Sequence, residues 1–333
     1  MVRASGSLFG LAYGDALGKA SEFQDYPAIV AEHGPGGPRE LTGDPALVTD
    51  DTQMALAVGE SLIAAAADLT PETFEAPLRE SFAAWAISPE TNRAPGRTCL
   101  DAIANLSDGR RWQDATISGS KGCGANMRVT PIGLVPGLTD EQRSGAAQLQ
   151  AGLTHGHPTA LAASELTAYA VWLLVAGCAP ADLLGALRQR CADQRRVYHE
   201  RWLGDLWQLP GATTAEDFIA RGWDECAAAL DRVDVALRGD RDGDPCRVTG
   251  AGWVAEEALA TALFCYLCSP DEPVAVIARG AASSGDSDSI ACLAGAFAGA
   301  ALGMPAWPAD WQHRIEYADR LTRLGARWDG AHD

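Results

Sequence analysis

Six long segments of the chain carry apolar residues at three- and four-residue intervals, the periodicity of helices that bury one face. The alternating pattern of a half-buried β-strand is nearly absent, and the breaks between segments are rich in Gly and Pro. No low-complexity linker or fixed-period repeat divides the chain. We therefore predict an all-α fold, with a single compact many-helix domain over residues 1–333. The helical segments are 52–69, 71–87, 159–177, 180–202, 215–233 and 254–268.

Each end of the chain carries a stripe of glycines. Within a stripe the glycines recur every four residues, so they lie on one helix face, where the missing side chains let another backbone approach closely. Such faces are usually packing devices. Here their packing would also bring the acids of both helices into one small volume. The stripes are Gly10, Gly14 and Gly18, and Gly295, Gly299 and Gly303.

The charge and composition of the chain disfavour nucleic acids and membranes as its partners. Lys and Arg number 26 against 44 Asp and Glu, and the net charge of -18 repels phosphate backbones unless it is locally reversed. Nucleic acid is therefore disfavoured as a partner, although it is not excluded. Residues 290–307 are uncharged but rich in Ala and Gly, with acids just upstream and with Pro305 and Pro308 at the end, which favours a buried helix over a membrane span. We expect no membrane association.

The nine cysteines point to a reducing, cytoplasmic setting. Their number is odd and none has metal-ligand spacing with a histidine. Cys265 and Cys268 have the spacing of a redox motif, but they lie in an apolar helical stretch where packing is the better interpretation. The first 18 residues lack the hydrophobic segment of a signal peptide, so we do not expect export.

Two segments place acids with adjacent hydroxyls at the start of a strongly apolar helix. They are "VTDDTQMAL" at 48–56 and "GDSDSI" at 285–290. Helix capping alone would explain either one. Four carboxylates at the mouths of buried helices, however, would be costly to ionise together, and divalent cations remove that conflict. Oxygen donors without Cys or His favour Mg²⁺ or Mn²⁺, and two such ions can orient substrate oxygens and activate water.

Three loops are weaker candidates. The acidic stretch at 240–245 resembles the start of a calcium-binding EF-hand loop, but Pro245 stands at the sixth position and Ala251 at the twelfth, which favours a solvated loop. The glycine-rich loop at 118–124 can turn backbone N–H groups toward a phosphate, although it lacks a P-loop ending. His155 and His157 suit either ligand contact or helix capping.

In this order, six segments resemble the ADP-ribosylglycohydrolase family and span nearly the whole chain. They are "GLAYGDALGKASEF" (10–23), "TDDT" (49–52), "GCGANMRVTPIGL" (122–134), "THGHP" (154–158), "GWVAEEALATALFCYL" (252–267) and "GDSDSIACLAGAFAGAALG" (285–303). The resemblance implies an all-α domain with a two-metal site, usually Mg²⁺ and in some members Mn²⁺, at the base of an ADP-ribose cleft. The implied metal ligands are Thr49, Asp50, Asp51, Asp286, Asp288 and Ser289, the last standing where the family commonly has Thr.

The resemblance also implies roles around that site. Glu22 matches a glutamate that reaches the metals or acts in acid-base chemistry, and either Glu22 or Asp51 would handle the proton. His155 would contact the diphosphate or distal ribose, and Trp253 is suited to stacking on adenine. The loop that would hold the diphosphate and distal ribose comprises Ser118, Gly119, Ser120, Lys121, Gly122, Cys123 and Gly124.

The implied activity is metal-dependent release of ADP-ribose from a modified target, with protein as the expected carrier. ADP-ribosyl-arginine is the first expectation, although "RAPGRT" at 93–98 offers no acid to a guanidinium and Arg97 would repel one. The alternatives are O-linked serine, O-acetyl-ADP-ribose or a modified nucleobase. A catalytically silent ADP-ribose-binding relative and a Mg²⁺-dependent nucleotide phosphohydrolase remain as rival classes.

Overall fold

Capping side chains mark where several helices begin in the computed structural model, which describes residues 2–65, 68–208 and 211–330. Thr70 and Thr139 each form a capping box with the residue three positions on, and Thr214 and Asp25 each accept a backbone N–H of the first turn. His157 also caps a helix, because its Nδ1 accepts the N–H of Thr159 at 3.2 Å. Capping is therefore the role that the structure gives to His157.

The described residues contain eighteen α-helices and three short 3₁₀ turns, and their β pairing is limited to three isolated bridges. The all-α prediction is confirmed. The helices are α1 Arg3–Gly18, α2 Tyr26–His33, α3 Asp50–Ala65, α4 Pro71–Ala86, α5 Arg97–Ser107, α6 Trp112–Ala115, α7 Thr130–Leu134, α8 Asp140–Gly152, α9 Pro158–Val175, α10 Pro180–Gln194, α11 Glu200–Leu203, α12 Ala215–Arg238, α13 Cys246–Thr249, α14 Ala255–Cys268, α15 Pro273–Ala281, α16 Ser287–Leu302, α17 Trp311–Arg314 and α18 Ala318–Asp329.

One predicted segment is interrupted and another is partly outside the described residues. The helical pattern at 180–202 divides into α10 and α11, because the chain turns after Gln194 and the Tyr198 hydroxyl bonds to Gly204 O at 3.0 Å. Trp202 then packs onto Gly145 of α8, where an added Cβ would lie 2.3 Å from the indole ring. Ala66 and Ala67 of the pattern at 52–69 are not among the described residues.

Helices α1 and α16 pack backbone to backbone in antiparallel fashion. An ideal Cβ on Gly10 would lie 2.3 Å from the carbonyl oxygen of Gly295, and one on Gly14 would lie 2.0 Å from that of Ala291. The predicted contact between the two glycine stripes is confirmed. Gly303 differs from the others, because it ends α16 in a left-handed conformation with φ +79° instead of lying within the helix.

Helix α9 is long and apolar enough to cross a membrane, but 83% of it is buried inside the protein. It packs against α8, α12 and α14 and so forms part of the core of this chain. The uncharged stretch at 290–307 comprises most of the shorter helix α16 and the turn that follows it, and the residues of α16 from Ser287 to Ala300 are buried against α1, α14 and α15.

Candidate metal centre and substrate cavity

Three helix ends meet at one point, and the antiparallel pairing of α1 with α16 explains why. The C-terminal end of α1 lies beside the N-terminal end of α16, where an ideal Cβ on Gly18 would be 2.5 Å from the Cα of Asp288. The N-terminus of α3 joins them, because Asp15 of α1 accepts the backbone N–H of Thr49 at 2.9 Å and that of Thr52 at 3.0 Å. The amino ends of two helices therefore face one pocket, where their dipoles favour negative charge.

Both predicted acid pairs and the predicted glutamate lie together at this junction. One oxygen each from Glu22, Asp286 and Asp288 lie within 4.8 Å of one another. Asp50 and Asp51 line the same cavity, and both are almost completely buried, at 6% and 2% exposed. Acids from opposite ends of the sequence thus converge, as predicted from the two acid-bearing helix starts and the two glycine stripes.

Burial and mutual repulsion raise the pKa values of these carboxyls. Loss of solvation, followed by the negative charge of Asp288, raises the pKa of Asp50 to about 8 and that of Glu22 to about 8. The same two causes raise the pKa values of Asp51 and Asp286 well above the usual range. The cluster therefore resists full ionisation near neutral pH unless positive charge enters it.

The donor set fits a hard divalent cation. Asp51 Oδ1 is buried and has no hydrogen-bond partner among the described residues, so it has a free lone pair inside the cluster. Thr49 Oγ1 lies 3.3 Å from Asp51 Oδ2, and Ser289 lines the cavity with its hydroxyl close to the Cys123 thiol. Carboxylate and hydroxyl oxygens are the ligands that Mg²⁺ and Mn²⁺ prefer, so these residues suit such an ion.

Asp15 is a sixth acid of the site and is not among the residues predicted from the sequence. It is fully buried and accepts three donors from the start of α3, including the Thr52 hydroxyl at 2.5 Å. Burial and then the charge of Asp288 raise its pKa to about 7. Asp15 therefore holds the acid-bearing turn of α3 in place. An acid inside an otherwise apolar, glycine-rich helix was the available signal.

A cavity of about 330 Å³ opens above the acids. Its rim carries two aromatic rings, since Phe23 stacks on Trp253 with centroids 5.5 Å apart and planes 16° from parallel. Both rings are unusually accessible, at 72% and 42% exposed, and Phe23 has the left-handed φ of 66°. A large aromatic held on the surface in a strained backbone conformation suits a planar ligand more than it suits the core.

Only part of the predicted glycine-rich loop lines the cavity. Gly122, Cys123 and Gly124 do so, and the Cys123 thiol donates to Asp286 Oδ2 at 2.7 Å. The structure places Ser118, Gly119, Ser120 and Lys121 outside the cavity wall.

Ion pairs and a hydroxyl contact account for the outer part of that loop. The Lys121 ammonium forms ion pairs with Glu225 of α12 and Glu256 of α14, which draw it away from the acids. Ser120 Oγ lies 3.0 Å from Thr98 Oγ1 of α5. These two contacts anchor the loop to the helices on either side of it.

His155 lies at the cavity wall beneath the loop. It is 2% exposed, and its ring fits against Gly122 and Gly124, where an added Cβ at either position would lie 3.2 Å from the ring. Burial, and then the neighbouring positive charge of Arg128, lower the pKa of His155 well below its usual value. The imidazole is therefore neutral at physiological pH.

The segment at 93–98 forms the opposite wall. Gly96 N–H donates to Asp50 Oδ2 at 3.2 Å, so this turn helps to orient one of the acids. Arg93 binds Glu316 through both terminal guanidinium nitrogens, Nη1 and Nη2, and also donates to Val48 O at 2.6 Å, which ties the segment to the start of α3. The side chain of Arg97 is 88% exposed and pairs with Asp101 at 3.3 Å.

The remaining loop candidate is structural. Asp244 accepts the N–H of Cys246 at 3.0 Å and that of Ser284 at 3.2 Å, so the acidic stretch at 240–245 is a turn that fastens α13 to the loop before α16. Asp240 and Asp242 are exposed, as expected of a solvated loop.

Comparison with known proteins gives one consistent result. The family described as ADP-ribosylglycohydrolase matches residues 2–332. The chain is 27% identical to ADP-ribosyl-[dinitrogen reductase] glycohydrolase of Rhodospirillum rubrum, covering 94% of this chain and 90% of that protein. It is 28% identical to ADP-ribosylhydrolase ARH3 of Homo sapiens, covering 94% and 89% respectively.

A solved structure described as an ADP-ribosylglycohydrolase-related protein complex has the same fold. It superposes with a TM-score of 0.71 over 99% of this chain and 98% of that one, at 21% identity. At that identity the match shows the arrangement of the helices, whereas the chemistry depends on the residues of the cavity.

Proposed function

The chain belongs to the ADP-ribosylglycohydrolase family, and from that premise we propose that it hydrolyses the bond between ADP-ribose and a modified arginine side chain of a target protein. The observation that carries this proposal is the convergence of five carboxyls and Ser289 at the floor of a cavity of about 330 Å³, with the Thr49 hydroxyl beside Asp51. Such a donor set suits two Mg²⁺ ions, with Mn²⁺ as the alternative. When bound, divalent cations supply Lewis-acid polarisation of substrate oxygens and favour ionisation of water.

The residues of this chain divide the remaining work between them. Water attacks the anomeric carbon of the distal ribose and gives up a proton to a carboxylate, the bond to the leaving group breaks, and the leaving nitrogen takes up a proton. Positive charge develops on the ribose during that step, and buried carboxylates lie where they stabilise it. Asp51 has a free oxygen inside the cluster and Glu22 lies at its half-exposed edge, so we assign proton transfer to these two residues.

The other cavity residues suit binding of the ADP moiety. The backbone of Gly122 to Gly124 and the ring of His155 face the space above the acids, where they would meet the diphosphate and distal ribose. Trp253, together with Phe23, offers an exposed aromatic surface at the rim for adenine. Ser118 to Lys121 support this loop from outside the cavity wall.

The choice of arginine as the leaving group rests on charge. Once two divalent cations allow the six carboxyls of the site to ionise, those carboxylates carry more negative charge than the cations neutralise, so a cationic guanidinium is attracted to the cavity. Arg97 opposes that attraction, but it is exposed and paired with Asp101. O-linked serine, O-acetyl-ADP-ribose and nucleobase conjugates are the next candidates.

A panel of ADP-ribose conjugates tests the proposal. Arginine-, serine-, O-acetyl- and nucleobase-linked substrates are incubated with Mg²⁺ or Mn²⁺, and the products are separated by chromatography. Free ADP-ribose from the arginine conjugate supports the proposal. Release of AMP and ribose phosphate would instead identify a nucleotide phosphohydrolase, and binding of ADP-ribose without turnover of any conjugate would identify a silent relative.

A further inference from the structure

Arg128 is a completely buried arginine that the proposed reaction does not use. Its contacts among the residues that the structure describes include no carboxylate, and its guanidinium lies 4.4 Å from the centre of the Phe82 ring. Its Nε donates to Gln150 Oε1 at 2.8 Å, and its Nη2 donates to Thr154 Oγ1 at 2.7 Å. Because a guanidinium can only donate, Thr154 Oγ1 must be the acceptor of that bond.

The hydroxyl hydrogen of Thr154 then has two candidate acceptors. His155 Nδ1 lies 2.8 Å from Oγ1, whereas Ala151 O lies 3.4 Å away, at the limit for a hydrogen bond. A hydroxyl that accepts a bond from a cation is polarised and becomes a stronger donor. The short contact is therefore a bond from Thr154 to an unprotonated Nδ1, which leaves the hydrogen of the neutral imidazole on Nε2.

His155 lines the cavity, and its Nε2 lies against Gly122 and Gly124, which line the cavity as well and whose lack of side chains makes room for the ring. Nε2 has no hydrogen-bond partner in the described part of the chain. A protonated Nε2 can neither bind a metal ion nor accept a proton. It can donate to an oxygen that enters the cavity.

We propose that Arg128 is a positioning residue that acts through Thr154 to hold His155 in the tautomer with hydrogen on Nε2, so that His155 donates to an oxygen of the substrate. The identity of that oxygen, on the diphosphate or distal ribose, rests on the proposed function. The tautomer itself does not, since it is a property of the protein without substrate.

The tautomer is tested by nitrogen NMR on the full-length protein labelled with ¹⁵N-histidine. The chain has six histidines, and loss of one signal set in His155→Asn assigns His155. We expect an unprotonated nitrogen signal for Nδ1, a protonated one for Nε2, and no titration between about pH 5 and 8. A protonated Nδ1 in the wild-type protein would overturn the proposal.

Conservative variants test the role of the Arg128 to Thr154 bond without emptying the core. Thr154→Val keeps the shape and removes the hydroxyl, so His155 should lose its single tautomer, whereas Thr154→Ser should retain it. Thr167→Val is the matched control, because the Thr167 hydroxyl is also buried but has no hydrogen-bond partner in the described residues. An unchanged His155 spectrum in a folded Thr154→Val protein would overturn the proposal.

Ligand affinity supplies the second readout. Calorimetry with ADP-ribose should show binding weakened roughly tenfold in Thr154→Val, the equivalent of one hydrogen bond, with near wild-type binding in Thr154→Ser and Thr167→Val. Equal affinity in Thr154→Val would overturn donation by His155 to the ligand. Failure of the wild-type protein to hydrolyse any conjugate would refute the proposed function, while the NMR result would still decide the tautomer.

Discussion

Removing one negative charge from the acid cluster should have opposite effects on stability with and without a divalent cation. Asp288 is the variant of choice, because after burial its charge is the largest cause of the raised pKa values of five neighbouring carboxyls. In Asp288→Asn the side chain keeps its volume and the oxygen that accepts Ser289 N–H at 2.9 Å. The substitution therefore changes the charge and little of the packing.

The expected magnitude follows from the number of carboxyls relieved. A decrease of a few tenths of a pKa unit at each of five groups gives about 1–3 kcal/mol of added stability in the metal-free protein. For a chain of this length that raises Tm by roughly 1–4 °C. Wild-type protein should gain about 2.7 kcal/mol from Mg²⁺ at a hundred times its Kd, and the variant should gain almost none. The variant should also lose turnover, because it lacks a cation ligand.

Calorimetric melting in EDTA and in saturating Mg²⁺ measures both effects. The variant should melt above the wild type in EDTA and below it in Mg²⁺. Asp108→Asn is the matched control, since it removes the same charge from a side chain that is 69% exposed and far less repelled. A Mg²⁺-induced shift in Asp288→Asn as large as that of the wild type would refute the assignment of Asp288 as a ligand.

Three further predictions concern pH, packing and the rim. Without a cation, the free energy of unfolding should fall as pH rises from about 4 to 8. The folded protein keeps the proton of Asp50 up to a pKa of about 8, whereas the unfolded chain releases it at about 4, so the folded state loses stability between these two pH values. Melting curves in EDTA that are flat over this range would contradict this prediction. Gly14→Ala should lower the free energy of unfolding in urea by about 1–3 kcal/mol or more, since its Cβ would lie 2.0 Å from a carbonyl oxygen. Gly185→Ala in α10 meets no atom within 4 Å and should raise the free energy of unfolding by up to about 1 kcal/mol. Equal effects of the two substitutions would refute the close packing of α1 on α16. Phe23→Ala should weaken ADP-ribose binding by roughly three- to tenfold and leave ribose-5-phosphate binding unchanged, as measured by calorimetry, if the rim stacks on adenine.

The parts of the site that could be predicted from sequence were those encoded by local spacing. Glycines four residues apart predicted the contact between α1 and α16, and acids with neighbouring hydroxyls at two helix starts predicted the cluster. Both signals are short-range, because a helix face and a helix terminus are each set within a few residues. The convergence of Asp50 with Asp286 needed only the additional assumption that the two stripes pack together.

The parts that could not be predicted depend on contacts between distant segments. Asp15 looked like an isolated acid in an apolar helix until α3 was seen to start against its carboxylate. Lys121 looked available to a phosphate until α12 and α14 supplied Glu225 and Glu256 as partners. Likewise, the role of Arg128 depends on its hydrogen-bond acceptors on α8 and in the loop after it, and none of these acceptors is near Arg128 in sequence.

The packing of α1 against α16 also sets the positions of the acids at the site. The glycine stripe of α1 ends at Gly18, whose closest approach is to the backbone of Asp288, and Ser287 Oγ donates to Gly18 O at 2.9 Å across the same contact. Any separation of α1 from α16 would therefore move Asp288 away from Glu22, which follows Gly18 by a single turn. A larger residue at Gly10 or Gly14 would therefore act on cation binding through the backbone, without touching a ligand. The packing of the two helices in turn opposes the mutual repulsion of the acids at this junction.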